Sequence, residues 1–313
     1  MGSTLTTADL DAIYDRVNNW GKWGPDDERG ALNYLTDAVR ATAGLMVRDG
    51  ASISLGHNLP VAPNVETPNP AHHHMLVSGD CLDNTGIPGY QATGDYIGTQ
   101  VHGMGITHID ALSHMFVRDR TYNGFLPSDV KSTGAHRNSI MSMADGIVGR
   151  GVLLDIPGAL GVDFLPPDQS ARADDLLAAE RRQNVSVREG DLLLISTGRD
   201  ARRSAQKGSL SPFSEGLAGL HPDCLDFLYE RKVALLGGDG ISDHMPFRNI
   251  PNWPFPIHQI GIVSIGLHLI DNMHLAPGVA ACTARERWEF LLCLNPLRIP
   301  KGTGCPINPI AVF

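Results

Sequence analysis

The densest potential chemistry in this chain lies in one stretch, His102-Gly103-Met104-Gly105-Ile106-Thr107-His108-Ile109-Asp110-Ala111-Leu112-Ser113-His114. Imidazole and carboxylate are the usual ligands of the zinc or manganese ions used in hydrolysis. If Thr107 to Asp110 is extended, His108 and Asp110 point to the same side, because side chains alternate along a strand. If the chain turns helical after Asp110, His114 lies one turn further on that face. Three polar groups then converge on one small volume. A lone histidine is usually a surface residue or a satisfied core residue. Three within thirteen residues, interleaved with glycine and an aspartate, argue for a metal or catalytic role, with a structural hydrogen-bond network as the alternative.

Other chemistries find no footing. Gly103-Met104-Gly105 lacks the remaining spacing of a dinucleotide fingerprint, and no P-loop lysine motif is present. The absence of a Gly-x-Ser-x-Gly elbow removes the usual serine hydrolase. The five cysteines (Cys81, Cys224, Cys282, Cys293 and Cys305) form no CxxC pair, which argues against a disulfide framework or a cysteine zinc site. They read as reduced, mostly buried thiols, and no partner base marks one as a nucleophile.

A net charge of −9 and the lack of a Lys/Arg run point away from nucleic acid and anionic membranes, and toward a small-molecule substrate. Met1 to Thr7 has no secretory pattern, and no apolar run reaches the roughly 18 to 20 residues of a membrane span. A cytoplasmic protein is expected.

The elements that must position the cluster follow from periodicity. With 313 residues, 42% of them hydrophobic, the chain can bury a large core. Without repeats or a long linker, it reads as one domain over 1–313. Helices are expected over Thr7 to Trp20, from Thr36 or Asp37 to Gly50, and over Arg172 to Gln183, His221 to Arg231 and Ala284 to Leu294. Strands are expected at Ser52–Leu55, Tyr96–Val101, Gly151–Ile156, Asp191–Ser196, Val233–Gly237 and Ile262–Ile265. Pro60 to Asp95, with the triplet His72-His73-His74, reads mostly as solvated loop. Interleaved strands and helices suit an α/β fold with a mixed central sheet and flanking helices. Asp239 to His244 follows a strand, and reads equally as a cleft-facing segment or a capped turn. Trp20, Trp23, Tyr90, Tyr122, Phe125 and Trp253 are candidates for a pocket wall or plain core.

Thr107, His108, Asp110 and His114 resemble the signature His-x-Gly-Thr-His-x-Asp-x-Pro-x-His of the cyclase-type metal-dependent hydrolases, the group that includes bacterial kynurenine formamidase and isatin hydrolase. Leu112 stands in place of the proline. Trp23 to Asn33, Asp110-Ala111-Leu112 and Tyr122-Asn123-Gly124 look like features of the family's longer members. Arg150 to Asp155, Gly190-Asp191 with Thr197-Gly198, and Gly238-Asp239 are similar to segments further along. The resemblance implies a swivelling β/β/α domain, a divalent ion (Zn2+ or Mn2+), a homodimer or larger homo-oligomer, and a proton-shuttling role for His114. It also implies ligands from the C-terminal part, where His258 matches the family histidine and Asp271 takes the place of a glutamate, one carbon shorter.

One departure matters. The family's first metal-binding histidine falls on Met104, whose soft thioether is a poor ligand for a hydrolytic ion. His102 is six residues before His108, about 20 Å away in an extended strand at about 3.3 Å per residue. A bend at Gly103 and Gly105 is what would bring it in; otherwise it is a loop histidine. His268 and His274 read as polar surface residues. The expected ligand set is therefore His108, Asp110, His258, His102 and Asp271. The expected reaction is metal-assisted hydrolysis of a carbon–nitrogen bond in an amide, formamide or small cyclic amide. Lactone hydrolysis, a non-hydrolytic cyclase or dehydratase, and a non-catalytic binding protein are the rival readings.

Overall fold

The computed structural model describes residues 5–80, 86–208, 210–245 and 250–313. Cys81 and the first four residues, on which the reading of the N-terminus rests, lie outside the described residues. Among the described residues thirteen strands run in chain order as β1 (Ser52–Ser54), β2 (His72–Val77), β3 (Gly94–Gly98), β4 (His108–Asp110), β5 (Val130–Lys131), β6 (Gly134–Ala135), β7 (Ile147–Asp155), β8 (Leu192–Ser196), β9 (Leu235–Gly238), β10 (His268–Asp271), β11 (Glu289–Leu294), β12 (Gly304–Pro306) and β13 (Ile310–Val312). Nine of them form one mixed sheet in the order β1-β13-β11-β7-β8-β9-β10-β4-β12. The four central strands, β7-β8-β9-β10, are parallel, and antiparallel strands extend the sheet at both sides.

Strands β8 and β9 are buried along their whole length, which explains their continuous apolar runs: parallel strands are covered on both faces. Among the described residues the helices are α1 (Thr7–Arg16), α2 (Asp37–Gly44), α3 (Ile156–Leu160), α4 (Ala173–Gln183), α5 (Arg199–Gln206), α6 (Pro212–Glu215), α7 (Cys224–Glu230), α8 (Pro256–Ile260) and α9 (Ala276–Arg285), of which α2, α3, α4 and α9 pack on the sheet. Thr6 begins α1 with a reciprocal capping box to Asp9, and Thr36 caps α2. Among the described residues no helix is long and apolar enough to cross a membrane.

Three expected elements are corrected. Ala284 to Leu294 is not a helix; α9 ends at Arg285, and Glu289 to Leu294 is strand β11, between β7 and β13. Its burial alternates residue by residue, with Phe290, Leu292 and Leu294 inward, a period of two. Ile262 to Ile265 is not a strand but part of a wide π-type turn, Gly261–Ile265, that continues α8. Its carbonyls are taken by the segment after α1: Trp20 Nε1 donates to Val263 (2.6 Å) and Asn19 Nδ2 to Ile265 (2.9 Å). His72-His73-His74 is not loop but strand, paired with β3 in an exposed two-stranded ribbon where His73 meets Asp95 at 2.7 Å.

Two of the three segments that resemble the longer members of that family, Trp23 to Asn33 and Tyr122-Asn123-Gly124, hold each other. Asn123 Nδ2 donates to the carbonyls of Gly24, Pro25 and Asp27, and the Tyr122 hydroxyl donates to the Asp27 carboxylate at 2.9 Å. This clasp closes over the turn that precedes β10.

Strand β4 carries the functional cluster. His108 and Asp110 lie on one face, and Ile109 points from the other into the core, fully buried. Replacing Ile109 with alanine is expected to lower unfolding stability by about 2–5 kcal/mol, measured by denaturant unfolding. A loss below about 1 kcal/mol would show that this side chain does not anchor β4.

Candidate metal centre

Strand pairing assembles the centre. In the β4–β10 register His108 stands directly opposite Asp271, and Asp110 opposite Gly304 of β12. His108 and Asp271 therefore share a face although they are far apart in sequence. Strand β10 ends here, next to the C-terminal end of its parallel neighbour β9, the usual place for a ligand crevice in an open α/β sheet. His258 enters from α8.

The side chains converge closely. The His102 Nδ1 atom is 2.8 Å from Asp110 Oδ1, and His108 Nε2 is 3.5 Å from the same oxygen. His258 Nε2 lies 3.2 Å from Asp271 Oδ2 and 3.5 Å from Asp110 Oδ2. His108 Nε2 is 4.0 Å from Asp271 Oδ2. Two overlapping groups with the spacing of metal ligands result, His102–His108–Asp110 and Asp110–His258–Asp271. Asp271 reaches the cluster despite its shorter side chain.

Ring orientation is set from behind. His108 Nδ1–H donates to the Ile106 carbonyl at 2.8 Å, which turns Nε2 inward. The Asp110 carboxylate is fully buried and Asp271 is 3% exposed. Asp110 Oδ2 and Asp271 Oδ1 are buried without a hydrogen-bond partner. Carboxylates placed so deep need a positive charge beside them. Burial opposes a charged His258, yet Asp271, Asp110 and Asp243 prevail and hold its imidazole well above the usual histidine range. Asp110 is likewise held well below the usual carboxylate range against its burial, His114 and His102 being the leading causes.

The geometry answers the question of His102. Gly103 is in a positive-φ conformation (156°), and Gly105 passes so close to Thr67 that a Cβ would sit 1.9 Å from its Oγ1. The chain folds back there, and His102 comes to Asp110 with Nε2 3.0 Å from Thr303 Oγ1. His114 stacks on His102 with centroids 3.8 Å apart and planes 9° apart. The turn from Asp110 is a single tight one, His114 N–H donating to the Ala111 carbonyl, rather than a helix. Burial pushes the His114 imidazole down to about 4, against the pull of Asp110.

His102, His108, His114, His258 and Asp271 face a cavity of about 270 Å3, also walled by Met104, Met115, Ile241 and Phe255. None of the aromatic residues singled out in the sequence lines it; Tyr122 and Trp253 are core. The His72–His74 ribbon is not among its walls. His268 is corrected from surface to interior: it is fully buried on β10, with Nδ1 3.0 Å from the Asp110 carbonyl.

Several positioning residues carry no local signal. Arg199, 3% exposed, donates to the carbonyls of Asp239 and Met104, to Asn272 Oδ1 and to Glu66. Asn272 Nδ2 donates to the carbonyls of Gly103 and Ile106, so together they pin the bend that delivers His102. Asp239 accepts the N–H groups of Thr197, Gly198 and Arg199 at the start of α5. Only its place after a strand hinted at this.

A further cluster, His57–Asp200–His274, has metal-like spacing. It is a poor cation site, because the Arg203 guanidinium lies 3.2 Å from His57 Nε2 and 3.0 Å from Asp200 Oδ1. His274 pairs with Asp200 at 2.8 Å. Burial, with Arg203, His274 and Arg199 adding to it and Asp200 opposing, pushes the His57 imidazole down to about 4. A neutral His57 thus contributes stability that is complete above its unfolded value near 6.5 and is lost as pH falls through about 4. Between pH 6.5 and 4, the thermal midpoint of His57→Gln is expected to fall less steeply than that of the wild type. Parallel curves would remove His57 from the acid response.

Known proteins are similar to this chain in sequence and in fold. Isatin hydrolase of Roseibium aggregatum is 25% identical over 142 residues, 44% of this chain and 51% of that protein, so the match spans about half the relative's length. A crystal structure of a novel cyclase superposes with a TM-score of 0.84 at 28% identity, covering 95% of this chain and 99% of that one. Isatin hydrolase A from Labrenzia aggregata, bound to benzyl benzoate, shares the fold with a TM-score of 0.57 at 21% identity, over 88% of this chain and 96% of that one. The profile of the Cyclase family ("Putative cyclase") matches residues 52–243, more than half of the sequence and the part holding β4, and the chain belongs to that family.

Proposed function

We propose that this chain is a metal-dependent hydrolase that opens the carbon–nitrogen bond of a small amide, most suitably a cyclic one, with one zinc or manganese ion. The observation that carries this reading is the pair of buried carboxylates, Asp110 and Asp271, with unpartnered oxygens set among the imidazoles that line an apolar-walled cavity. The donor set fits a hard or borderline ion: His108, Asp110, His258 and Asp271, with His102 in place of the histidine that Met104 replaces. Met104 serves instead as cavity wall and, through its carbonyl, as an anchor for Arg199.

A bound ion would supply a water of lowered pKa and polarise a carbonyl. The chain's own groups do the rest. Met104, Met115, Ile241 and Phe255 offer apolar contact to a flat or cyclic body and exclude bulk water. His114 reaches the cavity beside the ligand cluster and keeps its ring flat against His102. From there one of its ring nitrogens takes the proton from the attacking water and passes it to the leaving nitrogen. Isatin, which names two of the similar proteins, is itself a cyclic amide, and this supports the substrate class.

Purified protein is expected to hold about one equivalent of metal and to hydrolyse a member of a panel of formamides, cyclic imides, lactams and lactones. In 18O-labelled water the product should carry solvent oxygen, which a cyclase or dehydratase would not give. His114→Ala should keep the metal and lose about 10²–10⁴-fold in kcat, whereas Asp110→Ala should lose the metal. A metal-free protein inactive with added Zn2+ or Mn2+ would overturn the reading. A fully active, metal-loaded His114→Ala would overturn only the role of His114.

A further inference from the structure

From the geometry we infer that Asp243 is a positioning residue for the metal centre: it holds His258 with Nε2 turned toward Asp110 and Asp271. This rests on the metal reading above. Asp243 lies outside the cavity wall and is fully buried. Its carboxylate accepts three hydrogen bonds, all from the first residues of α8: Ile257 N–H at 2.8 Å, His258 N–H at 3.1 Å and His258 Nδ1–H at 2.7 Å. The two main-chain bonds fix where α8 begins, and the third fixes the imidazole. A ring whose Nδ1–H is committed in this way presents an unprotonated Nε2 to an ion, and the carboxylate raises its basicity.

The segment carrying Asp243 is built for this placement. Ser242 is a non-glycine residue in the left-handed region, with φ of 62°, a conformation that persists only where surroundings enforce it. They do so here. Leu220 N–H donates to the Ser242 carbonyl at 2.7 Å, and Leu217 and Met245 exchange main-chain bonds at 2.8 Å. Gly219 lies so close that a Cβ there would be 2.3 Å from the Asp243 carbonyl. A carboxylate needed only to cap a short helix would not require a third bond to the α8 side chain that enters the metal cluster.

The experiment is a metal-affinity cycle on the full-length protein, titrating Mn2+ and Zn2+ by calorimetry into wild type, Asp243→Asn, Asp243→Ala, His258→Ala and the double variant Asp243→Ala/His258→Ala. Circular dichroism and the thermal midpoint of each metal-free protein are read alongside. Asp243→Ala is expected to weaken binding about 10–100-fold. Asp243→Asn keeps an acceptor of the same size without the charge, and should lose affinity measurably, though less than Asp243→Ala. Once His258 is absent, the Asp243 change should cost little more, because the two act as one unit. Wild-type affinity in a folded Asp243→Ala, or the same fold-loss with and without His258, would overturn the role. If Asp243→Ala does not fold, wild-type affinity in Asp243→Asn together with additivity in Asp243→Asn/His258→Ala does so. A wild type that takes up neither ion overturns the metal reading itself.

Discussion

Two carboxylates buried side by side cannot both stay ionised without positive charge between them, and the rest of this site is arranged around that demand. Asp110 and Asp271 come from neighbouring strands and face the same imidazole, His258, at 3.5 and 3.2 Å. Either a protonated histidine or a bound cation can supply the charge. Three histidines with a nitrogen turned inward make a divalent ion the better match, because it satisfies several oxygens at once.

The energetic cost of that concentration of charge is met by a rigid frame. The sheet holds His108 and Asp271 in register, Ile109 fastens β4 to the core on the opposite face, and Arg199 ties a loop, a strand end and a helix together. Arg199 is nearly as buried as the residues it organises. Burial, with Arg203 beside it, moves its guanidinium below the usual arginine range, and Glu66 and Asp239 oppose that shift. Glu66 in turn stays ionised despite its burial, since Arg199 and Arg203 lie against it. Glu66 thereby helps to anchor the long segment between β1 and β4 to α5.

The loss of the family histidine at Met104 has a local explanation. The bend at Gly103 to Gly105 lets a histidine two residues earlier reach Asp110, while the methionine faces the cavity as apolar wall. In the proposed centre, a ligand position and a wall position are thereby exchanged within one turn of chain. The same turn brings His102 and His114 into a parallel stack.

Much of this was legible in the residues themselves. The alternation of a strand puts His108 and Asp110 on one face whatever surrounds them, and the apolar runs of β8 and β9 announce doubly covered parallel strands. Capping residues such as Thr36 are visible for the same reason: these are interactions between near neighbours in sequence. Other features depended on distant partners. Glu289 to Leu294 became a strand because β7 and β13 stand on either side of it, and Ile262 to Ile265 turned helical because Asn19 and Trp20 claim its carbonyls. Asp239 to His244 read equally as cleft or turn, and only packing against Leu217–Leu220 and α8 separated Asp239, a helix cap, from Asp243, a support for His258. The sequence by itself determined which chemistry the chain could carry. Tertiary structure alone decided which of its thirteen histidines converge, because ring position is set by strand register and by hydrogen bonds reaching across more than a hundred residues.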